Sequence, residues 1–137
     1  MNDLSLIIDL LRRGFQLTAR NGELHFRANK GELMSSERER LAQSKQGIME
    51  FLGENRKHVR ASFAQQRIWF SNQLDPSSPT YNGSASQFRI SGALNTGAFE
   101  RALNIVAERH EILRTHFSSI IGQIVQIVVP HEPVVLE

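Results

Sequence analysis

Phe15-Gln16-Leu17-Thr18-Ala19-Arg20-Asn21-Gly22-Glu23-Leu24-His25-Phe26-Arg27-Ala28 decides the fold of the first part of the chain. Two runs of alternating apolar and polar residues flank Asn-Gly, the strongest short-range hairpin signal, because both turn positions need positive φ. A two-residue turn fixes the register: Arg20 faces Glu23, Ala19 faces Leu24 and Leu17 faces Phe26. Phe15, Leu17, Ala19, Leu24, Phe26 and Ala28 then share one face, and Gln16, Thr18, Arg20, His25 and Arg27 share the other. Both strands agree on one register, which a one-residue slip would destroy.

Helical patterns lie on either side. Leu4, Ile7, Ile8 and Leu11 recur at i, i+3, i+4 and i+7. Asn2 or Asp3 can cap this helix and Gly14 can end it. Ser36 and Glu39 form an S-x-x-E capping box for a second helix. Leu41, Ile48 and Leu52, with Phe51 beside them, make its apolar stripe, and Gly53 ends it. Residues 1–53 therefore read as helix, hairpin, helix. Residues 54–60 are polar and read as a linker.

A domain of this size is marginal by surface-to-volume scaling, and a lone hairpin must lay its apolar face on the helices. That arrangement leaves both hairpin edges open. Open edges invite added strands. These edges carry Arg20, Arg27 and Lys30 against one acid, Glu23, so an acidic extended partner would be favoured. The competing reading is a solvated basic face that only prevents aggregation.

The 137-residue composition narrows the function classes. Hydrophobic residues at 40% and charged residues at 22% fit an ordinary globular chain. No apolar run approaches the ~18–20 residues of a membrane span. Cysteine is absent, which excludes thiol nucleophiles and thiolate metal sites. The chain is read as cytoplasmic, with no secretory signal ahead of Leu4. Ten basic residues face eight acidic ones over residues 1–57, a balance unlike a nucleic-acid binder.

Residues 3–52 resemble the TubC-type N-terminal docking domains of nonribosomal peptide synthetases. The resemblance rests on Leu10-Leu11-Arg12-Arg13-Gly14-Phe15-Gln16-Leu17, on the Asn21–Ala28 run and on Lys30-Gly31-Glu32-Leu33. It departs at Asn29, where proline is common. It implies a receptor for the acidic C-terminal tail of an upstream subunit, which adds as a β-strand to the hairpin. Homodimers through such domains also occur in the family. The implied contacts are Gln16, Thr18, Arg20, Leu24, His25, Arg27 and Lys30.

Residues 61–137 read as α/β. Ala64 to Leu74 is dense in apolar and aromatic residues, with Ile68, Trp69, Phe70 and Leu74 expected in the core. Gln87–Gly92 reads as a strand, and Asn95 or Thr96 starts a helix through about His116. Ser118–Ile121 and Ile124–Val129 flank Gly122-Gln123, a glycine-first type II′ turn. Val134–Leu136 begins another apolar run.

Two strings in this half are similar to core motifs of nonribosomal condensation domains. Ser62-Phe63-Ala64-Gln65-Gln66-Arg67-Ile68-Trp69-Phe70-Ser71-Asn72-Gln73-Leu74 resembles SxAQxRLWFLxQL, with Ser71 a clear departure. Arg109-His110-Glu111-Ile112-Leu113-Arg114-Thr115-His116-Phe117 resembles RHExLRTxF, and Tyr81-Asn82 matches a further family pair. The resemblance implies a chloramphenicol-acetyltransferase-like fold and peptide-bond formation between carrier-bound thioesters. Ser62, Ala64, Gln65, Arg67, Trp69, Phe70, Arg109, His110, Glu111, Leu113 and Arg114 then carry structural roles.

The family's HHxxxDG motif has no counterpart: none of His25, His58, His110, His116 and His131 is followed by a second histidine. A catalytic histidine must reach the reacting amine, and no residue here matches that role. Residues 61–137 are therefore read as an incomplete condensation domain, without catalysis of its own and with apolar strand edges left open. His116 and His131 could pair on a metal, but no third ligand has suitable spacing. No cofactor, metal, membrane or nucleic acid is expected. The fold class is α+β: a small helix–hairpin–helix domain followed by an incomplete α/β segment. The leading reading is a docking module. A stand-alone acyltransferase and a small nucleic-acid-binding protein are its rivals.

Overall fold

The structure is a computed structural model describing residues 3–28, 31–77 and 86–136. It is α+β and divides into two compact units. The first holds the chain up to Ala61 together with Thr115–Pro130, and the second holds Ser62–Arg114 with the C-terminal residues from His131.

In the first unit, α1 (Asp3–Arg12) precedes β1 (Phe15–Arg20) and β2 (Glu23–Ala28). The hairpin register is the expected one, Leu17 opposite Phe26 and Arg20 opposite Glu23. Asn21 and Gly22 have φ of 51° and 72°, as a type I′ turn requires. Gly14, at φ 87°, ends α1 as expected. Leu6 and Leu10 are buried alongside Ile7, Ile8 and Leu11. The apolar stripe of α1 is thus wider than the i, i+3, i+4 pattern implies.

The second helical stretch differs from expectation in three ways. It breaks at Ser44 into α2 (Ser35–Gln43) and α3 (Lys45–Leu52). Its start is served by Glu37 rather than by a Ser36–Glu39 box: Glu37 Oε2 accepts from the Met34 N–H at 2.8 Å. Glu37 is also buried and paired with Arg13, which fixes where the helix begins. Phe51 is exposed, while Leu41, Ile48 and Leu52 are buried as expected.

The larger correction concerns residues 54–60. Lys57–Arg60 forms strand β3, so this stretch is not a plain linker. β3 pairs antiparallel with β1, Leu17 opposite His58, and on its other side with β5 (Gln123–Val128). β5 pairs with β4 (Thr115–Ile120), giving one sheet in the order β2-β1-β3-β5-β4. Among the described residues only the β2 edge of the first hairpin is therefore open, and the β5 strand expected to lack partners has them. Val125 of β5 lies in the same core as Leu10, Leu17 and Ile48.

The turn between β4 and β5 is Ile121-Gly122, with φ of 47° and 72°, rather than a type II′ Gly122-Gln123. A β-branched residue at positive φ is strained and is a poor sequence signal. Across the sheet, Arg12 Nε donates to Gln123 Oε1 at 3.4 Å and Arg60 donates to the Arg12 carbonyl at 3.3 Å. These contacts join the end of α1 to β3 and β5.

In the second unit, α4 (Phe63–Leu74) is capped by Ser62, whose Oγ accepts from Gln65 N while Gln65 Oε1 accepts from Ser62 N. α5 (Thr96–Arg109) is capped by Asn95 and stops seven residues short of the expected His116. A 3-10 turn over Glu111–Arg114 follows, and Thr115 already begins β4. The strand expected over 87–92 does not form, since no described residue pairs with it. Val134–Leu136 is likewise no strand. The Asn104 side chain instead bonds both backbone groups of Val134, and Leu136 N donates to Glu100 Oε2. No residue of α4 or α5 is buried: Phe70 is 58% exposed, against its expected core role.

Candidate functional site: the open edge of the sheet

β2 is one of the two edge strands of the sheet. In a hairpin closed by a two-residue turn, the pair next to the turn is hydrogen-bonded, and pairs then alternate. Arg20–Glu23 and Thr18–His25 are thus bonded inward, while the backbone groups of Leu24, Phe26 and Ala28 face away from β1. The same alternation turns Leu17 and Ala19 of β1 toward β3. There Asn55 N donates to the Ala19 carbonyl at 2.7 Å, which closes that edge.

Alternate side chains of any strand added to β2 would fall on two different surfaces. On the helical side lies an open groove of about 380 Å³, lined by Leu24, Phe26, Leu33 and Leu41 with Arg38 and Lys45. On the opposite side lies a groove of about 320 Å³. It gathers Gln16, Thr18, Arg20, His25 and Arg27, five of the seven residues expected to hold a partner tail, and adds Lys57 from β3. The sixth, Leu24, belongs to the apolar groove. The seventh, Lys30, lies outside the described residues, as do Tyr81 and Asn82.

The wall of the apolar groove is fixed by one clamp. Arg13 pairs with Glu37, donates to the Glu32 carbonyl at 3.2 Å and stacks over the Phe15 ring, 5.2 Å from its centroid. Glu37 gives its other oxygen to Met34 N–H. That backbone bond, and then Arg13, hold the Glu37 carboxyl below its ordinary pKa against the upward push of burial. Arg13 and Glu37 thereby tie α1, the segment before α2 and α2 itself into one frame. The clamp has almost no sequence signature; Arg13 beside the terminating Gly14 is its only visible trace.

His58 sits beneath the sheet junction, 2% exposed, opposite Leu17 on one side and Ile127 on the other. Burial, then the charges of Arg56 and His116, push its pKa down to about 4. Its Nδ1 has no hydrogen-bond partner among the described residues.

The residues expected to carry condensation motifs have structural placements. Ser62 and Gln65 form the α4 capping box, Ala64 and Arg67 are exposed on that helix, and Trp69 is half-buried. Arg109 ends α5, His110 follows it with its N–H bonded to the Val106 carbonyl, and Glu111, Leu113 and Arg114 make the 3-10 turn. Among the described residues no group of three His, Asp or Glu could hold a metal ion. No helix among them is long and apolar enough to cross a membrane.

Residues 55–137 match the condensation-domain model, and residues 4–54 match the TubC N-terminal docking-domain model. The chain belongs to the condensation-domain family. It carries a TubC-type docking domain ahead of its condensation-domain segment. Similar curated proteins include a linear gramicidin synthase polypeptide of Brevibacillus parabrevis, 50% identical over 72 residues, 53% of this chain and 1% of that protein. Nonribosomal peptide synthetase kk1B of Curvularia clavata is 47% identical over 75 residues, 55% of this chain and 1% of that protein. A solved chain from work on condensation domain-mediated chain release from the enacyloxin polyketide synthase matches 96% of this chain and 27% of its own, at 22% identity and a TM-score of 0.35. The chain thus spans about 1% of the length of these curated relatives.

Proposed function

We propose that this docking domain receives the acidic C-terminal tail of an upstream synthetase subunit as a strand on β2, ahead of the condensation domain that takes over the peptidyl intermediate. The observation that carries this reading is the asymmetry of the hairpin: β3 closes the β1 edge, while β2 keeps Leu24, Phe26 and Ala28 turned outward between an apolar and a basic groove. Main-chain bonds would supply affinity and the two grooves would read alternate side chains. The functional boundary proposed remains docking in residues 1–53 and condensation from residue 61. The chain would act in a reducing, cytoplasmic setting. Residues 1–137 would not condense thioesters themselves, because no HHxxxDG histidine stands in the sequence.

A second copy could also add at β2 and form a homodimer. The basic groove beside β2 complements an acidic tail better than a second copy of the same basic face.

The test is fluorescence anisotropy of residues 1–137 with acidic peptides that alternate apolar and charged residues. Saturable binding is expected. Arg27→Glu combined with Lys30→Glu should weaken it about tenfold at low salt, the scale of two rim charge pairs. Undiminished affinity in the double variant would overturn the electrostatic part. No binding by the wild type, together with tight and salt-steep binding to a random DNA duplex, would replace the reading by the nucleic-acid rival.

A further inference from the structure

His25, Thr18 and Lys57 stand in register on three adjacent strands, β2, β1 and β3, on the sheet face away from the helices. On the same face Arg27, opposite Gln16, and Arg20, opposite Glu23, lie two pairs to either side of this row. All five line the same groove; among the described residues that line it none is a carboxylate, and Glu23 stands opposite Arg20 at the turn end of this face. The groove therefore runs across the strands, whereas a strand added to β2 runs along them. We propose that the tail docks in two parts: a strand on the β2 edge, and an acidic flank that turns over the edge and crosses the sheet face to Lys57. This rests on the docking reading above and adds a second subsite to it, supplied by a strand outside the docking hairpin.

The dimensions permit the crossing. Adjacent strands lie about 4.8 Å apart, so β2 to β3 is about 10 Å, and an extended chain covers that in roughly three residues. A strand on β2 cannot itself reach Lys57, because β1 intervenes. Acidic side chains of the flank would meet Arg27 first and Lys57 last. Thr18 and Gln16 lie between them and can donate to the same carboxylates or to the flank's carbonyls. The half-exposed position of Lys57 on a short strand fixes its location better than a loop lysine would be fixed.

The experiment uses the full chain and two peptides of identical strand-forming core. One carries four Asp/Glu residues at an end, tried at each end in turn, and the other has them replaced by Ser and Gln. Lys57→Glu should weaken the acidic peptide about tenfold and the neutral one less than twofold, as expected for a long-range charge contact. Lys57→Met should give a smaller loss, about threefold, confined again to the acidic peptide. Unchanged circular dichroism and melting temperature exclude a folding defect. Equal effects on both peptides, or none on either, would overturn the crossing while leaving strand addition intact. Failure of the wild type to bind either peptide would overturn strand addition itself, and the crossing with it.

Discussion

The two units of this chain share capped helices and differ in what covers them. In the first, α1 and α3 press Leu10, Leu11 and Ile48 against a five-stranded sheet, and every buried hydrophobic residue of the described chain is there. In the second, α4 and α5 have well-formed caps and bury nothing. Local signals start and stop a helix, while packing of its apolar face supplies most of its stability. The α4 capping box and the Asn95 cap of α5 are in place; cover for Phe63, Phe70 and Leu113 is what the described residues of the second unit lack.

The largest expected contrast is therefore a pair of truncations. Leu11→Ala removes a fully buried side chain and should cost about 2–5 kcal/mol in urea unfolding. Phe63→Ala, at 79% exposure, should stay within about 0.5 kcal/mol in residues 1–137. Similar costs at both positions would show that the second unit has a core after all.

A comparable effect is expected from pH. The His58 pKa is lowered in the folded chain to about 4 from an unfolded value near 6.5. Above pH 6.5 neither state binds the proton, so the stability is fully present. Below it the unfolded chain protonates first, and stability falls until the folded site also protonates near pH 4. The loss is on the order of 3 kcal/mol. His58→Leu should flatten that part of the stability–pH curve, and an unaltered curve would show that the sheet junction does not bury the ring as described.

Glu37→Gln comes next. It keeps the shape but gives up the charge-assisted bond to Arg13, and should cost about 1–3 kcal/mol. Faster exchange of the amides over 31–34 would tie the loss to the clamp. Smallest is Asn95→Ala, about 1 kcal/mol at the α5 N-terminus. It should appear as faster exchange in α5 without a change in the melting of the first unit, which sharpens the separation between the two.

How much of this was legible depended on whether a residue's role was set locally. The hairpin could be read completely, because Asn21-Gly22 and period-two alternation set the same register. The outward row Gln16, Thr18, Arg20, His25 and Arg27 followed at once. β3 was hidden because Lys57-His58-Val59-Arg60 has no apolar run. It is a strand because β1 and β5 lie on either side of it, an effect of tertiary pairing rather than of propensity. Lys57 carries no strand signal for the same reason. The end of α5 is not legible because His110 and Leu113 continue a helical spacing into a 3-10 turn and a strand. Ser36 and Glu39 matched a capping pattern, but the buried ion pair at Glu37 set the start of α2 instead.

The most direct test of the central claim is amide hydrogen exchange across the sheet, with and without a saturating acidic tail peptide. Strand addition on β2 predicts new protection at Leu24 and Phe26, whose N–H groups face outward, with Leu17 and His58 unchanged. Protection confined to β4, or loss of protection along β3 as the peptide displaces it, would contradict docking at the β2 edge.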